Sequence, residues 1–177
     1  MTDPVRAAAG NPIVVVMGVS GSGKSTFGAA LAAAIGARFL DADDLHPPAN
    51  RRKMAASIAL DDADRWGWLN AVAVWMAKRV EHGEPGVVAC SALRRRYRDR
   101  LRAAGDAVRF VYLEVPRAEL ERRMRSRQHF MPLALLDSQL ATLEPPGQDD
   151  EAAGIVDGTL PLEENLRRVL GWLTSLG

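Results

Sequence analysis

Gly18-Val19-Ser20-Gly21-Ser22-Gly23-Lys24-Ser25 follows directly on the apolar run Ile13-Val14-Val15-Val16-Met17 and precedes Phe27, Leu31 and Ile35, spaced four apart. The apolar run predicts a buried strand, and the fourfold spacing predicts one face of a helix. The eight residues between them match G-x-x-x-x-G-K-[ST] in full, in the strand–loop–helix context that gives this pattern its meaning. Gly18, Gly21 and Gly23 let the backbone turn tightly, with its N–H groups directed at a polyphosphate. The positive end of the following helix adds to that field. Lys24 can reach β- and γ-phosphates, and the Ser25 hydroxyl suits Mg²⁺. Ser20, Ser22 and Thr26 stand in the same cradle. A glycine-rich turn without a ligand is the competing reading; motif and context together favour binding of a nucleoside triphosphate.

Apolar runs alternate with helix-period segments along the rest of the chain, the pattern of a parallel sheet covered by helices. Strands are expected at Ile13–Met17, Arg38–Leu40, Val87–Cys90, Val108–Leu113 and Gly154–Val156. Leu69, Val72, Ala73, Met76 and Val80 recur at helical spacing, as do Leu162, Leu166, Val169, Leu170 and Leu173. Pro116 suits a helix start, where its missing N–H costs nothing. The expected fold is therefore α/β: a three-layer sandwich with a five-stranded parallel sheet and helices on both faces. Residues 1–12 read as a flexible tail, 13–177 as one domain, and the acidic stretch Gly147–Ala153 as an exposed loop.

The composition excludes several classes. The 177 residues suit one domain with a proper core, and a net charge of +1 gives no field for nucleic acid or membrane. Cys90 is the only cysteine, which excludes an internal disulfide and fits a reducing compartment. The N-terminal stretch lacks the apolar core of a signal peptide, and no run approaches the ~20 residues of a membrane span. The expected location is the cytoplasm.

The motif alone does not choose between kinase, GTPase, motor and transporter. Phe39-Leu40-Asp41-Ala42-Asp43-Asp44 supplies the next clue, because strand ends in such a sheet face the ligand crevice. Continued alternation places Asp41 and Asp43 on one side, toward the phosphate loop. One of these carboxylates, Asp41 or Asp43, can then hold Mg²⁺ through water, and the other can accept the proton of an attacking hydroxyl. The alternative is that these acids cap a helix beginning near Pro47–Ala49, a role that suits Asp44. No Asp ends the third strand as in motor and transporter ATPases, and no Asn is followed by Lys as guanine recognition requires. Asp64-Arg65-Trp66-Gly67 spells D-x-x-G without a preceding strand. A compact kinase of a small molecule is the reading left.

Arg117–Arg127 carries five arginines, followed by Gln128-His129-Phe130-Met131-Pro132 and leucines at 133, 136, 140 and 143. This predicts a helix leaving the core, a basic corner and a returning helix, a lid over about 122–140 that keeps water from the phosphoryl group. The alternative is a solvated helical hairpin. Arg94–Arg102 holds six arginines that cannot share one helix face, so several are expected in solvent. Ser91 and Arg94 are expected beside the crevice. Cys90 reads as a core residue rather than a nucleophile. His46 reads equally as a structural side chain or a contact to a polar substrate, and so does His129.

With these blocks in view, the chain resembles the gluconate kinases, relatives of shikimate and nucleoside-monophosphate kinases. The resemblance runs from Val14 to about Pro146. It rests on Met17–Ser25, Leu40-Asp-Ala-Asp-Asp-Leu-His-Pro47, Asn50-Arg-Arg-Lys-Met54 and Asp62-Ala-Asp-Arg65 with Trp68-Leu69. Cys90-Ser-Ala-Leu-Arg-Arg-Arg-Tyr-Arg-Asp99, His129-Phe-Met-Pro132, Leu135-Leu-Asp-Ser-Gln139 and Thr142-Leu-Glu144 complete it. The resemblance implies transfer of the ATP γ-phosphoryl group to the 6-hydroxyl of D-gluconate by a homodimer. It implies Asp43 orienting and deprotonating that hydroxyl, with His46, Lys53, Arg65, Arg94 and His129 as further substrate contacts. Arg123 and Arg127 would neutralise phosphate charge as the lid closes. The chain departs from the pattern where Ser57-Ile58-Ala59-Leu60 replaces Gly-x-Pro-Leu, where Gly67 replaces Pro, and where Arg127-Gln128-His129 is one residue short of Arg-x-x-His-Phe. A kinase of another hydroxy acid such as shikimate, or an ATP-binding regulator without chemistry, are the rival functions.

Overall fold

Ile13–Met17 forms β1 with all five side chains buried, as a strand covered on both faces requires. It lies at the centre of the sheet in the computed structural model, which describes residues 10–126, 132–147 and 153–176. Alternation divides it between two cores. Ile13, Val15 and Met17 pack with Trp68, Leu69, Val72, Met76, Tyr97 and Leu101. Val14 and Val16 pack on the opposite face with Phe27, Leu31, Val169 and Leu173.

Those partners come from α3 (Asp62–Glu81) and α4 (Arg95–Arg102) on one side, and from α1 (Lys24–Ile35) and α7 (Leu162–Ser175) on the other. The remaining strands are β2 (Arg38–Asp41), β3 (Gly86–Ala89), β4 (Val108–Glu114) and β5 (Ala153–Asp157). They line up as β2-β3-β1-β4-β5, and every pairing is parallel. The sequence places each strand within a residue or two. β3 begins one residue early, at Gly86, and ends at Ala89; Cys90 still donates its N–H to the Val16 carbonyl at 3.0 Å.

The chain leaves β1 for the edge strand β2, returns to β3, and reaches β4 on the far side of β1. Strand order thus reverses beside β1, and the loop after it opens into the crevice where ligands of such sheets lie. Three further helices frame that crevice: α2 (Pro48–Ala55), α5 (Arg117–Arg125) and α6 (Leu133–Thr142). α5 and α6 share a small core of their own, Leu120, Met124 and Leu136, with Val19 of the phosphate loop and Leu93. The expected tail and acidic loop fall largely outside the described residues.

Candidate active site

The loop after β1 is built around its glycines. Gly18 has φ +146°, and a Cβ there would stand 2.8 Å from Ser22 Oγ and 3.1 Å from the Leu113 carbonyl. Gly23, at φ +95°, precedes the first turn of α1, and no side chain caps that helix. Its leading N–H groups therefore face the hollow of the loop, where an anion is favoured. Ser22 is buried, with its Oγ unpartnered among the described residues. Lys24 Nζ donates to the Val19 carbonyl at 3.0 Å, which holds the ammonium at the loop's mouth.

The acidic strand end reaches the loop by a different route from the one alternation predicts. β2 stops at Asp41, and Ala42–Leu45 winds into a 3₁₀ turn. Asp41 starts that turn: its Oδ1 accepts from the Asp43 N–H at 3.1 Å, and its Oδ2 accepts from Ser25 Oγ at 2.5 Å. Asp43 faces the cleft because of the turn's geometry, not because of strand pleating. The alternative reading of these acids as a helix cap does not hold for Asp44. α2 begins behind Pro47 with no side-chain cap, and the Asp44 carbonyl instead accepts from Arg51 Nη2 at 2.7 Å. Arg51 Nε donates to the His46 carbonyl at 3.0 Å, so α2 clamps the turn from behind.

Asp43 and Lys24 line one cleft of about 490 Å³, together with Ser20, His46, Arg65 and Ser91. Met54, Ile58 and Leu60 form its wall on the α2–α3 side, and Leu135, Ser138 and Gln139 of α6 form the other. The cleft walls, and then the neighbouring Asp41 charge, raise the Asp43 carboxyl above its ordinary range, while Lys24 opposes them. Water still reaches 70% of its side chain, so this effect is modest while the cleft stands open. Cys90, just behind, is wholly enclosed, and burial pushes its thiol up to about 12. At that value it is an inert core residue.

His46 is buried and stacked on Trp68, with centroids 4.2 Å apart and planes 17° from parallel. Trp68 is itself pinned by a bond from its indole N–H to the Ala42 carbonyl at 2.6 Å. Burial first, and then the Arg65 and Arg51 charges, lower the His46 pKa to about 4.

Two expected substrate contacts stand away from the cleft. Lys53 directs its ammonium to Asp64, 2.8 and 2.7 Å from the two carboxylate oxygens. Arg94 lines a neighbouring hollow with Asp61, Asp62, Arg65 and Tyr97. Arg65 borders both spaces and donates to the Leu60 carbonyl at 3.3 Å.

Arg123 lies on α5 and is tied to the phosphate loop from outside. It contacts the carbonyls of Gly21 and Ser22 at 3.3 Å and that of Gly158 at 2.7 Å. Glu119 steadies it at 2.8 Å, and hydrogen bonds from Arg122 and Arg123 lower that carboxyl to about 2. With Thr26, Gly23, Leu160 and Asn165, Arg123 lines a second pocket of about 260 Å³ on the other flank of the loop. Arg127 and His129 lie outside the described residues.

Three side chains that shape the site have no role assigned in the sequence reading. Gln139 clasps Ser20, accepting from its N–H at 2.7 Å and donating to its Oγ at 3.0 Å. Glu144 accepts from the Arg95 N–H at the start of α4, at 2.7 Å. Arg98 is wholly buried and donates to the carbonyls of Ala92 and Leu93 at 2.9 and 3.2 Å. It braces Ala92 at φ +44°, in the turn that carries Ser91 to the cleft. Nothing in an arginine-rich helix marks which arginine turns inward.

A phosphate-binding loop on a β2-β3-β1-β4-β5 parallel sheet, with a carboxylate and the loop lysine sharing one cleft, defines a P-loop kinase of small molecules. The family model described as "AAA domain" matches residues 13–146. A gluconokinase from Gluconobacter oxydans is 44% identical over 158 residues, covering 87% of this chain and 89% of that protein. The crystal structure of a gluconokinase from Sinorhizobium meliloti superposes with a TM-score of 0.86 at 46% identity, over 95% of this chain and 94% of the other. An unliganded sugar kinase from Janibacter gives 0.87 at 44% identity, over 92% and 94%. The chain belongs to the gluconokinase family. No helix among the described residues is long and apolar enough to cross a membrane.

Proposed function

We propose that this chain transfers the γ-phosphoryl group of ATP to the 6-hydroxyl of D-gluconate, giving 6-phosphogluconate and ADP. The observation that carries the reading is the single cleft into which Lys24 of the phosphate loop and Asp43 both open. The loop and the N-terminus of α1 hold the phosphates, Lys24 follows the γ-phosphoryl charge, and the nucleoside lies in the pocket beside Thr26 and Arg123. Asp43 orients the acceptor hydroxyl and takes its proton; confinement, which raises its pKa, makes it a better base than a free carboxylate. Arg65 is the cation in the cleft placed for the gluconate carboxylate, and His46 offers a polar contact beside Asp43. Arg127 and His129 belong to this proposal as lid residues.

Ser25 Oγ and Asp41 Oδ2, two hard oxygens meeting at the mouth of the cradle, fit Mg²⁺: Ser25 would hold the ion directly and Asp41 would hold it through water. When bound there, the ion neutralises charge on the phosphates. A homodimer in the cytoplasm, without nucleic-acid or membrane partners, completes the reading.

Coupled ADP release with a panel of sugar and hydroxy acids tests it. Gluconate-dependent turnover supports the proposal. Turnover with shikimate or another acid alone moves the chain to a different acceptor. ATP binding without acceptor-dependent turnover makes it a regulator.

A further inference from the structure

Asn50, part of a motif that the proposed chemistry does not use, is buried between α2 and α3. Its Nδ2 stands 2.8 Å from the Asp64 carbonyl oxygen and 3.2 Å from His46 Nδ1. A main-chain carbonyl only accepts, so the group facing it must be the amide NH₂, and this fixes which way the side chain points. The second amide hydrogen is then directed at His46 Nδ1, which must accept it with a lone pair. A neutral imidazole with a bare Nδ1 carries its proton on Nε2. His46 Nε2 faces Asp43, 3.7 Å from Oδ1.

We propose that Asn50 is a positioning residue that fixes His46 as the neutral Nε2–H tautomer, directing a permanent N–H donor at Asp43 and the acceptor hydroxyl beside it. Stacking on Trp68 sets the plane of the ring, and Asn50 sets which edge faces the cleft. The charged groups around the ring act in the same sense. Arg51 from α2 and Arg65 from α3 disfavour an imidazolium, and burial does so more strongly. Asp43, 3.7 Å from Nε2 and open to water, is the acid that faces the ring. An imidazolium would also set an N–H against the Asn50 amide hydrogens.

The consequence is a division of labour, and here the inference rests on the gluconokinase reading. The acceptor hydroxyl donates its proton to Asp43 while a lone pair receives the His46 N–H. Two bonds of opposite sense orient the oxygen for attack, and a neutral donor imidazole does not compete with Asp43 for the proton.

The test is ¹⁵N-correlated spectroscopy of the histidine rings in the full chain between pH 5 and 8, with His46 assigned by its loss in His46→Gln. The expected wild-type state has Nε2 protonated and Nδ1 bare throughout. Asn50→Asp, which keeps the size but offers an acceptor, is expected to draw the proton to Nδ1 and to bring His46 titration into this range. In parallel, gluconate kcat/KM should fall about 10–100-fold with a changed pH profile. Should Asn50→Asp fail to fold, Asn50→Ser, whose hydroxyl can still donate, is expected to retain the Nε2–H form. A protonated Nδ1 in the wild type, or a folded Asn50→Asp with unaltered tautomer and titration, overturns the proposal. The ring spectra need no substrate. A chain with the expected tautomer but no gluconate turnover therefore defeats the functional reading alone.

Discussion

Ser25 Oγ donates to Asp41 Oδ2 across 2.5 Å, tying the first turn of α1 to the tip of β2. The two oxygens already stand side by side, so a cation held on Ser25 Oγ would meet Asp41 through a bound water. Asp41→Asn should raise the Mg²⁺ concentration for half-maximal turnover by about tenfold, the effect of one weakened ionic contact. Ser25→Ala should do the same. Because the two act on one ion, the double variant should lose less than the sum of the two effects. A Mg²⁺ titration of ADP release checks this; fully additive losses would mean that the residues serve different ligands.

Lys24 and Asp43 share a cleft yet serve opposite partners. Lys24→Ala should abolish turnover and weaken ATP binding measured by calorimetry, since the loop loses its cation. Asp43→Asn should leave ATP affinity within about twofold while cutting kcat by about 10²–10⁴, the range for a lost general base. Equal losses of ATP affinity in the two variants would contradict the separate roles.

Ser57 carries a strain that the sequence already hints at. α2 ends with the Ser57 N–H on the Met54 carbonyl at 3.1 Å and the Ile58 N–H on the Lys53 carbonyl at 2.8 Å. This is a Schellman closure, with Ser57 in the left-handed position at φ +59°. Glycine occupies that conformation freely, and the family pattern has glycine there. Ser57→Gly should stabilise the chain by about 1 kcal/mol, or about 2–4 °C in Tm. Ser57→Val should destabilise it. A melt in which glycine lowers Tm would show that the Ser57 side chain makes compensating contacts.

That position also marks where single-sequence reading works. The strands were legible because each central one is a continuous apolar run, and the loop because glycine spacing has one strong interpretation. The sequence points to Asp41 and Asp43 through a strand alternation that the 3₁₀ turn replaces; a four-residue turn leaves no periodic trace. Lys53 and Arg94 are expected as substrate cations, and only packing shows Lys53 on Asp64 and Arg94 in the neighbouring hollow. The contacts of Gln139 and Arg98 are not legible for a related reason. Gln139 meets a partner 119 residues away, and the inward turn of Arg98 depends on where α4 lies against α3 and β4.

His46 supplies a signature in stability. Its ordinary pKa of 6.5 is lowered to about 4 in the folded chain, so below 6.5 the unfolded chain takes up a proton that the folded chain refuses. Stability from this group is therefore complete above pH 6.5 and is lost as the pH falls toward 4. The full interval corresponds to about 3 kcal/mol. Asp64, Glu119 and Asp157, whose carboxyls are lowered, also cost stability in acid, but they do so equally in a chain lacking His46. Comparing wild type with His46→Gln removes them. Urea unfolding at pH 7.5 and 4.5 should show the wild type losing about 2–3 kcal/mol more than the variant. A difference between the two that does not change with pH would mean that His46 accepts a proton in the folded state as readily as in the unfolded chain.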